Sequence, residues 1–139
     1  MSHHAFILDC SMTMAWCFED ETSEYSEKVL NALSELIAWV PTLWPIEVAN
    51  SLIVATRKKR ISYVRAVAFK QHLDALTIKV DDYLTSKPIE LIFDLAKETG
   101  LTAYDATYLE LAIRKNLPLA TLDSELKKSA QKIGLLLYS

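Results

Sequence analysis

Only two glycines occur in the 139 residues, Gly100 and Gly134, and neither has a glycine neighbour at phosphate-loop spacing. That excludes a glycine-rich backbone cradle for nucleotide phosphates. Cysteine is equally scarce. Cys10 and Cys17 form no CxxC pair and have no histidine nearby in the chain, so they make a poor zinc site and read as buried free thiols. No apolar run approaches the ~18 residues of a membrane span, and no basic, apolar, small-residue leader is seen. A cytoplasmic protein is therefore expected, with no membrane partner. Histidine is confined to His3, His4 and His72. His3-His4 lies beside the initiator and His72 among polar neighbours, which leaves no Ser-His-Asp spacing for nucleophilic hydrolysis.

What is present is apolar mass. The hydrophobic fraction is 51% and the mean hydropathy +0.13, enough for residues 1–139 to bury one real core as a single domain. The formal net charge of −3 and pI of 5.6 look unfavourable for a nucleic-acid partner. Setting aside the four acids discussed below moves that charge from −3 to +1. The acidic balance therefore neither supports nor excludes RNA.

Strand-like and helix-like segments alternate, with no linker or repeat. Ala5 to Leu8 reads as a short buried strand and Ser11 to Cys17 as a short helix. A helix is expected over Thr22–Ala38, from the spacing of Val29, Leu30, Leu33, Leu36 and Ile37. Trp39 to Leu43 reads as a second strand, weakened by Pro41. Pro45 suits the first turn of a helix running to about Lys59. Ser62 opens another, with Ala66, Phe69, Leu73 and Leu76 on one stripe. Thr77 to Val80 follows as a strand, then a helix between Pro88 and Gly100. Thr102 caps the next helix, Leu117 to Leu122 is a strand, and a last helix ending at Gly134 leads into a strand over Leu135–Tyr138. This order predicts an α/β fold, a parallel sheet of about five strands with helices on both faces.

Four carboxylates fall at the strand-to-helix junctions of that pattern: Asp9, Glu47, Asp105 and Asp123. The carboxyl ends of parallel strands are where such folds bind ligands. Unit charges ~4 Å apart repel by about 4 kcal/mol per pair at an effective dielectric near 20. A cluster must take up protons, spread apart, or bind a hard cation such as Mg²⁺. The same acids also fit a purely structural role, because helix N-termini attract Asp and Glu. Asp9 and Asp123 fit N-caps, Glu47 lies near the third helical position after Pro45, and Thr102-x-x-Asp105 matches a capping box. Capping does not account for their shared polar neighbours. Ser11 stands two residues after Asp9, Asn50 one turn beyond Glu47 on the same face, and Thr121 two before Asp123 on one strand face.

With those neighbours the chain resembles the PIN-domain ribonucleases. The opening motif is Ile7-Leu8-Asp9-Cys10-Ser11 with Ala15-Trp16, and the second is Leu43-Trp44-Pro45-Ile46-Glu47-Val48-Ala49-Asn50. Leu101-Thr102-Ala103-Tyr104-Asp105-Ala106 and Leu119-Ala120-Thr121-Leu122-Asp123 match the third and fourth. The likeness runs nearly the whole chain, in order, and is nearest to the VapC-type toxins of toxin–antitoxin pairs. It implies a three-layer α/β/α sandwich and endonucleolytic cleavage of RNA with Mg²⁺ or Mn²⁺. Asp9, Glu47, Asp105 and Asp123 would be the metal-binding acids, Ser11 and Thr121 hydroxyls that orient them, and Asn50 an orienting or substrate contact. Glu125 matches an extra acid of some members, though its exposed helical place fits a surface role.

The resemblance further implies a homodimer and a small antitoxin, whose apolar segment would lie along the Thr22–Ala38 and Ser62–Leu76 helices. Arg57-Lys58-Lys59-Arg60, Arg114-Lys115 and Lys127-Lys128 are the basic tracts available for phosphate, although cations near helix C-termini also offset the dipole. Two other classes remain open: a PIN-like module that binds RNA or processes it without being a toxin, and an unrelated Mg²⁺-binding phosphoacceptor or phosphatase. A phosphatase of the Asp-nucleophile type would want a second Asp where Ser11 stands.

Overall fold

A computed structural model describes residues 4–83 and 85–139, so His3 lies outside the described residues. The apolar run Ala5–Leu8 (β1) is buried along its whole length, as a central parallel strand requires. It pairs in parallel with Ile37–Pro41 (β2) on one side and Leu119–Ala120 (β4) on the other. Ile78–Asp81 (β3) extends the sheet beyond β2, giving the order β3-β2-β1-β4. Among the described residues seven α-helices connect or follow the strands: α1 (Cys10–Ala15), α2 (Glu24–Ala32), α3 (Leu43–Arg57), α4 (Tyr63–Asp74), α5 (Pro88–Thr99), α6 (Ala103–Lys115) and α7 (Ser124–Lys132). Together they flank a parallel sheet, the α/β architecture expected from the sequence. The core gathers Phe6, Ile7 and Leu8 with Met12, Val40, Leu109, Leu111, Leu119 and Leu126.

The sheet has four strands, not about five. Leu135–Tyr138 adds only a single parallel bridge, Leu119 to Leu137. Leu119 uses both of its backbone groups there, donating to Leu136 O at 3.0 Å and accepting from Tyr138 N at 2.9 Å. The ladder stops because β4 is two residues long. Pro118 before it has no N–H to offer to the ladder.

The second helix ends at Ala32 rather than Ala38, and the strand after it begins at Ile37 rather than Trp39. Two neighbours override the helical spacing of Leu36 and Ile37. The Thr77 hydroxyl donates to Leu33 O at 2.7 Å and Leu36 O at 3.0 Å, taking carbonyls freed as the helix ends. Ile37 N donates to His4 O at 3.3 Å, which enters Ile37 in the β1 ladder. α3 starts two residues before Pro45, which then stands third in the helix. An N–H at that position has no acceptor within the helix, so proline costs little there. Glu47 is consequently a full turn inside α3, not at its third position.

One buried contact ties α3 to the end of β1. Trp44 Nε1 donates to Thr13 Oγ1 at 2.9 Å, and that hydroxyl donates to Asp9 O at 2.9 Å. Trp44→Phe should cost about 1 kcal/mol, the net worth of one such bond, lowering Tm by ~2–4 °C. Thermal melts of the two proteins measure it, and an unchanged Tm would show that α3 is positioned by packing alone.

Candidate metal and nuclease site

Asp9 follows β1 directly and is 3% exposed. Its side chain is saturated by short-range and long-range donors. Oδ1 accepts from Met12 N at 2.9 Å, so Asp9 does cap α1. The Ser11 hydroxyl lies 2.8 and 2.9 Å from the two carboxylate oxygens. Thr121 Oγ1 donates to Oδ2 in a short bond across the β1–β4 junction. Those hydroxyls are themselves aimed by backbone donors, Leu122 N to Ser11 Oγ at 3.1 Å and Asp123 N to Thr121 Oγ1 at 2.9 Å. The segment after β4 thus supplies one flank of the cradle through Thr121 and aims the other, the Ser11 hydroxyl, through Leu122 N. Burial pushes its carboxyl up to about 6; the Thr121, Met12 and Ser11 hydrogen bonds oppose the rise, and the field of Asp123 adds to it.

Asp123 caps α7 through Leu126 N at 2.9 Å. Asp105 is the third residue of α6, whose N-cap Thr102 accepts from Asp105 N at 3.2 Å. Its carboxyl is raised above the ordinary value by burial first, then by the fields of Asp123 and Glu47. Glu47 reaches across to α6, where Tyr108 donates to its Oε1 at 2.5 Å. The field of Asp123 is felt by both Asp9 and Asp105, and that of Glu47 by Asp105.

Among the described residues no three His, Cys, Asp or Glu side chains are gathered closely enough to hold an ion. Spreading apart and the raised Asp9 and Asp105 pKa values are two of the responses open to repelling acids. The donor set is nevertheless carboxylate oxygen throughout, the chemistry that Mg²⁺ and Mn²⁺ take in preference to sulfur or imidazole. Two of the acids cap helices and still belong to this set, so capping and ligation are compatible roles.

The remaining sequence candidates separate. Asn50 is exposed on α3 and lines a cleft of about 440 Å³ together with Ser11, Cys10, Ser51, Lys58 and Arg60. It thus faces the Ser11 side of the site without joining the hydrogen bonds of Asp9. Cys10 is pushed up to about 12 by burial, so its thiol is no nucleophile at neutral pH. Glu125 is exposed and lies 4.0 Å from Lys128, a surface pair. Arg60 is held by Asp20 at 2.8 Å and Glu21 at 2.7 Å, over the Phe18 ring at 3.6 Å. Arg114 and Lys115 are committed to structure: both pair with Asp81, at 2.9 and 3.2 Å, and Lys115 sits 3.8 Å over the Trp39 ring.

Sequence reasoning missed Tyr108. Its signal was available: a tyrosine three residues after Asp105 on an apolar helix stripe must find a partner for its hydroxyl once buried.

The family model of the PIN domain matches residues 6–132. The chain belongs to the PIN-domain family. The solved structures similar to this PIN domain include PAE2754 from Pyrobaculum aerophilum, at 27% identity and a TM-score of 0.66, covering 90% of this chain and 86% of that one. Mycobacterium tuberculosis VapC20, a sarcin-ricin loop cleaving toxin, is similar at 16% identity and TM-score 0.65, covering 96% and 98%. VapBC2 from Rickettsia felis, bound to a DNA fragment from its promoter, is similar at 12% identity and TM-score 0.66, covering 97% of each chain. The last two likenesses are of fold. No curated protein matches the sequence. PIN domains are nucleases that generally use divalent metal ions, and no described helix here is long and apolar enough to cross a membrane.

Proposed function

We propose that the protein is a Mg²⁺- or Mn²⁺-dependent endoribonuclease, the toxin of a type II toxin–antitoxin pair, acting in the cytoplasm as one PIN domain over residues 1–139. The observation that carries this reading is the Asp9 carboxylate at the carboxyl end of β1, cradled by the Ser11 and Thr121 hydroxyls in a chain that the PIN-domain family model matches over residues 6–132. Asp9, Glu47, Asp105 and Asp123 would hold the ion or ions. When bound, such ions supply charge stabilisation for in-line attack of water on phosphorus. Ser11 and Thr121 hold the oxygens of Asp9 in one orientation, so the carboxylate need not reorganise when it loses its proton. The cleft carrying Asn50 and Lys58 opens beside Ser11 and offers a path for the RNA strand. Lys58 would contact phosphate there, giving affinity without sequence information.

The toxin assignment is supported by the fold shared with VapC20 and VapBC2. A homodimer and a small antitoxin partner follow from the same reading. A cleft of about 490 Å³ between α3, α4 and β3, lined by Trp44, Val48, Leu52, Leu73 and Ile78, offers the partner's segment an apolar seat. In this reading α3 joins α4 in forming the seat.

The test is RNA cleavage that stops with EDTA and returns with Mg²⁺ or Mn²⁺, alongside calorimetric titration of the ion. Ser11→Ala should lose roughly 10- to 100-fold in rate, the range for residues that orient a ligand. Wild-type protein that binds neither ion at millimolar concentration would remove the basis of the assignment.

A further inference from the structure

We infer that Tyr108 is a positioning residue for the Glu47 carboxylate, fixing it for the ion that the four acids would bind. This rests on the metal-dependent reading above and names a residue which that reading does not include. The Tyr108 side chain is 2% exposed, so its ring is held on all sides by the core. Its hydroxyl donates to Glu47 Oε1 at 2.5 Å, joining α6 to α3 across 61 residues of sequence. The ring leaves α6 one turn after Asp105, so a single helix presents one acid and holds another.

The chemistry of the donor matters. Glu47 is half-buried in the middle of α3, with a flexible side chain and negative neighbours. A lysine or arginine would also hold it, but would bring a cation that competes with a metal for the carboxylate. A phenol donates one hydrogen bond and no charge. It takes up Oε1, and among the described residues Oε2 has no hydrogen-bond partner. A neutral donor to a ligating carboxylate is the arrangement by which outer residues set ligand orientation and metal affinity.

The alternative is that Glu47 merely satisfies a buried hydroxyl, and the two roles predict different measurements. In Tyr108→Phe, Mn²⁺ affinity by calorimetry should fall about 10-fold, within the range for such partners, and cleavage should recover as Mn²⁺ is raised. In a Glu47→Gln background the same substitution should cause no further loss of affinity, since the interaction it removes no longer acts on a carboxylate. A purely structural tyrosine would lower Tm and leave Mn²⁺ affinity unchanged, which overturns the inference.

Should Tyr108→Phe not fold, 3-fluorotyrosine placed at position 108 of the wild-type chain gives a second reading. Its fluorine resonance should shift along the Mg²⁺ binding isotherm and stay fixed in Glu47→Gln; a resonance that ignores Mg²⁺ in the wild type also overturns the inference. Wild-type protein that binds no ion would instead sink the metal-dependent reading itself. The two failures are therefore distinguishable.

Discussion

Asp9→Asn should lose at least ~10²-fold in the rate of metal-dependent RNA cleavage, and Asp123→Asn should lose as much. Each substitution keeps the side-chain volume and an oxygen that can still cap its helix, at Met12 N or Leu126 N. The fold is thus retained while one negative charge leaves the site. A misplaced ion forfeits several kcal/mol of charge stabilisation, and ~1.4 kcal/mol is tenfold in rate. Product ends provide a second check. With water as nucleophile the fragments carry a 5′-phosphate and a 3′-hydroxyl, whereas attack by the ribose 2′-hydroxyl leaves cyclic phosphates. Cyclic ends, or wild-type rates in both variants, would falsify the proposed chemistry.

The metal-free protein should also become less stable as pH rises, with Asp9 the larger source and Asp105 acting in the same direction. Asp9 titrates at about 6 in the fold against 3.8 as a free side chain, chiefly through burial. A raised folded pKa means that the folded state binds the proton more tightly. The associated stability is fully present below pH 3.8 and is lost as pH rises through about 6. At ~1.4 kcal/mol per pH unit this amounts to about 2–3 kcal/mol between roughly pH 4 and 7.5. Denaturant unfolding in EDTA should show that decline in the wild type and a flatter profile in Asp9→Asn. At pH 7.5, Mg²⁺ should restore part of the loss by binding the folded state alone. Parallel profiles for the two proteins would mean that Asp9 is not the source.

The alternation of elements was legible because each apolar run was long enough to show its period. The four acids stood out because each read as lying near a change of period, although Glu47 proves to lie a full turn inside α3. What escaped was decided by contacts between distant residues. The strand at Ile37 is set by pairing with β1 and by the Thr77 hydroxyl on the end of α2, neither visible in the local spacing of Leu36 and Ile37. The missing fifth strand reflects the shortness of β4, which is two residues long and follows Pro118, a residue with no N–H to donate. Ser11 and Thr121 could be singled out by their distance of two from an acid. Their convergence on a single carboxylate could not, because it joins residues at opposite ends of the chain. Tyr108 escaped notice because its ring is core and only its hydroxyl reaches Glu47.

That convergence on Asp9 has a consequence for the order in which the chain is made. The first acid emerges near the start of synthesis, but the hydroxyl of Thr121 and the backbone N–H groups of Leu122 and Asp123 that complete its surroundings come 112 or more residues later. Until then the nascent protein has one flank of the carboxylate and not the other. On the proposed function, an enzyme that cuts RNA is assembled on RNA. A site that closes only when nearly the whole polypeptide has left the ribosome is one that stays silent during its own translation.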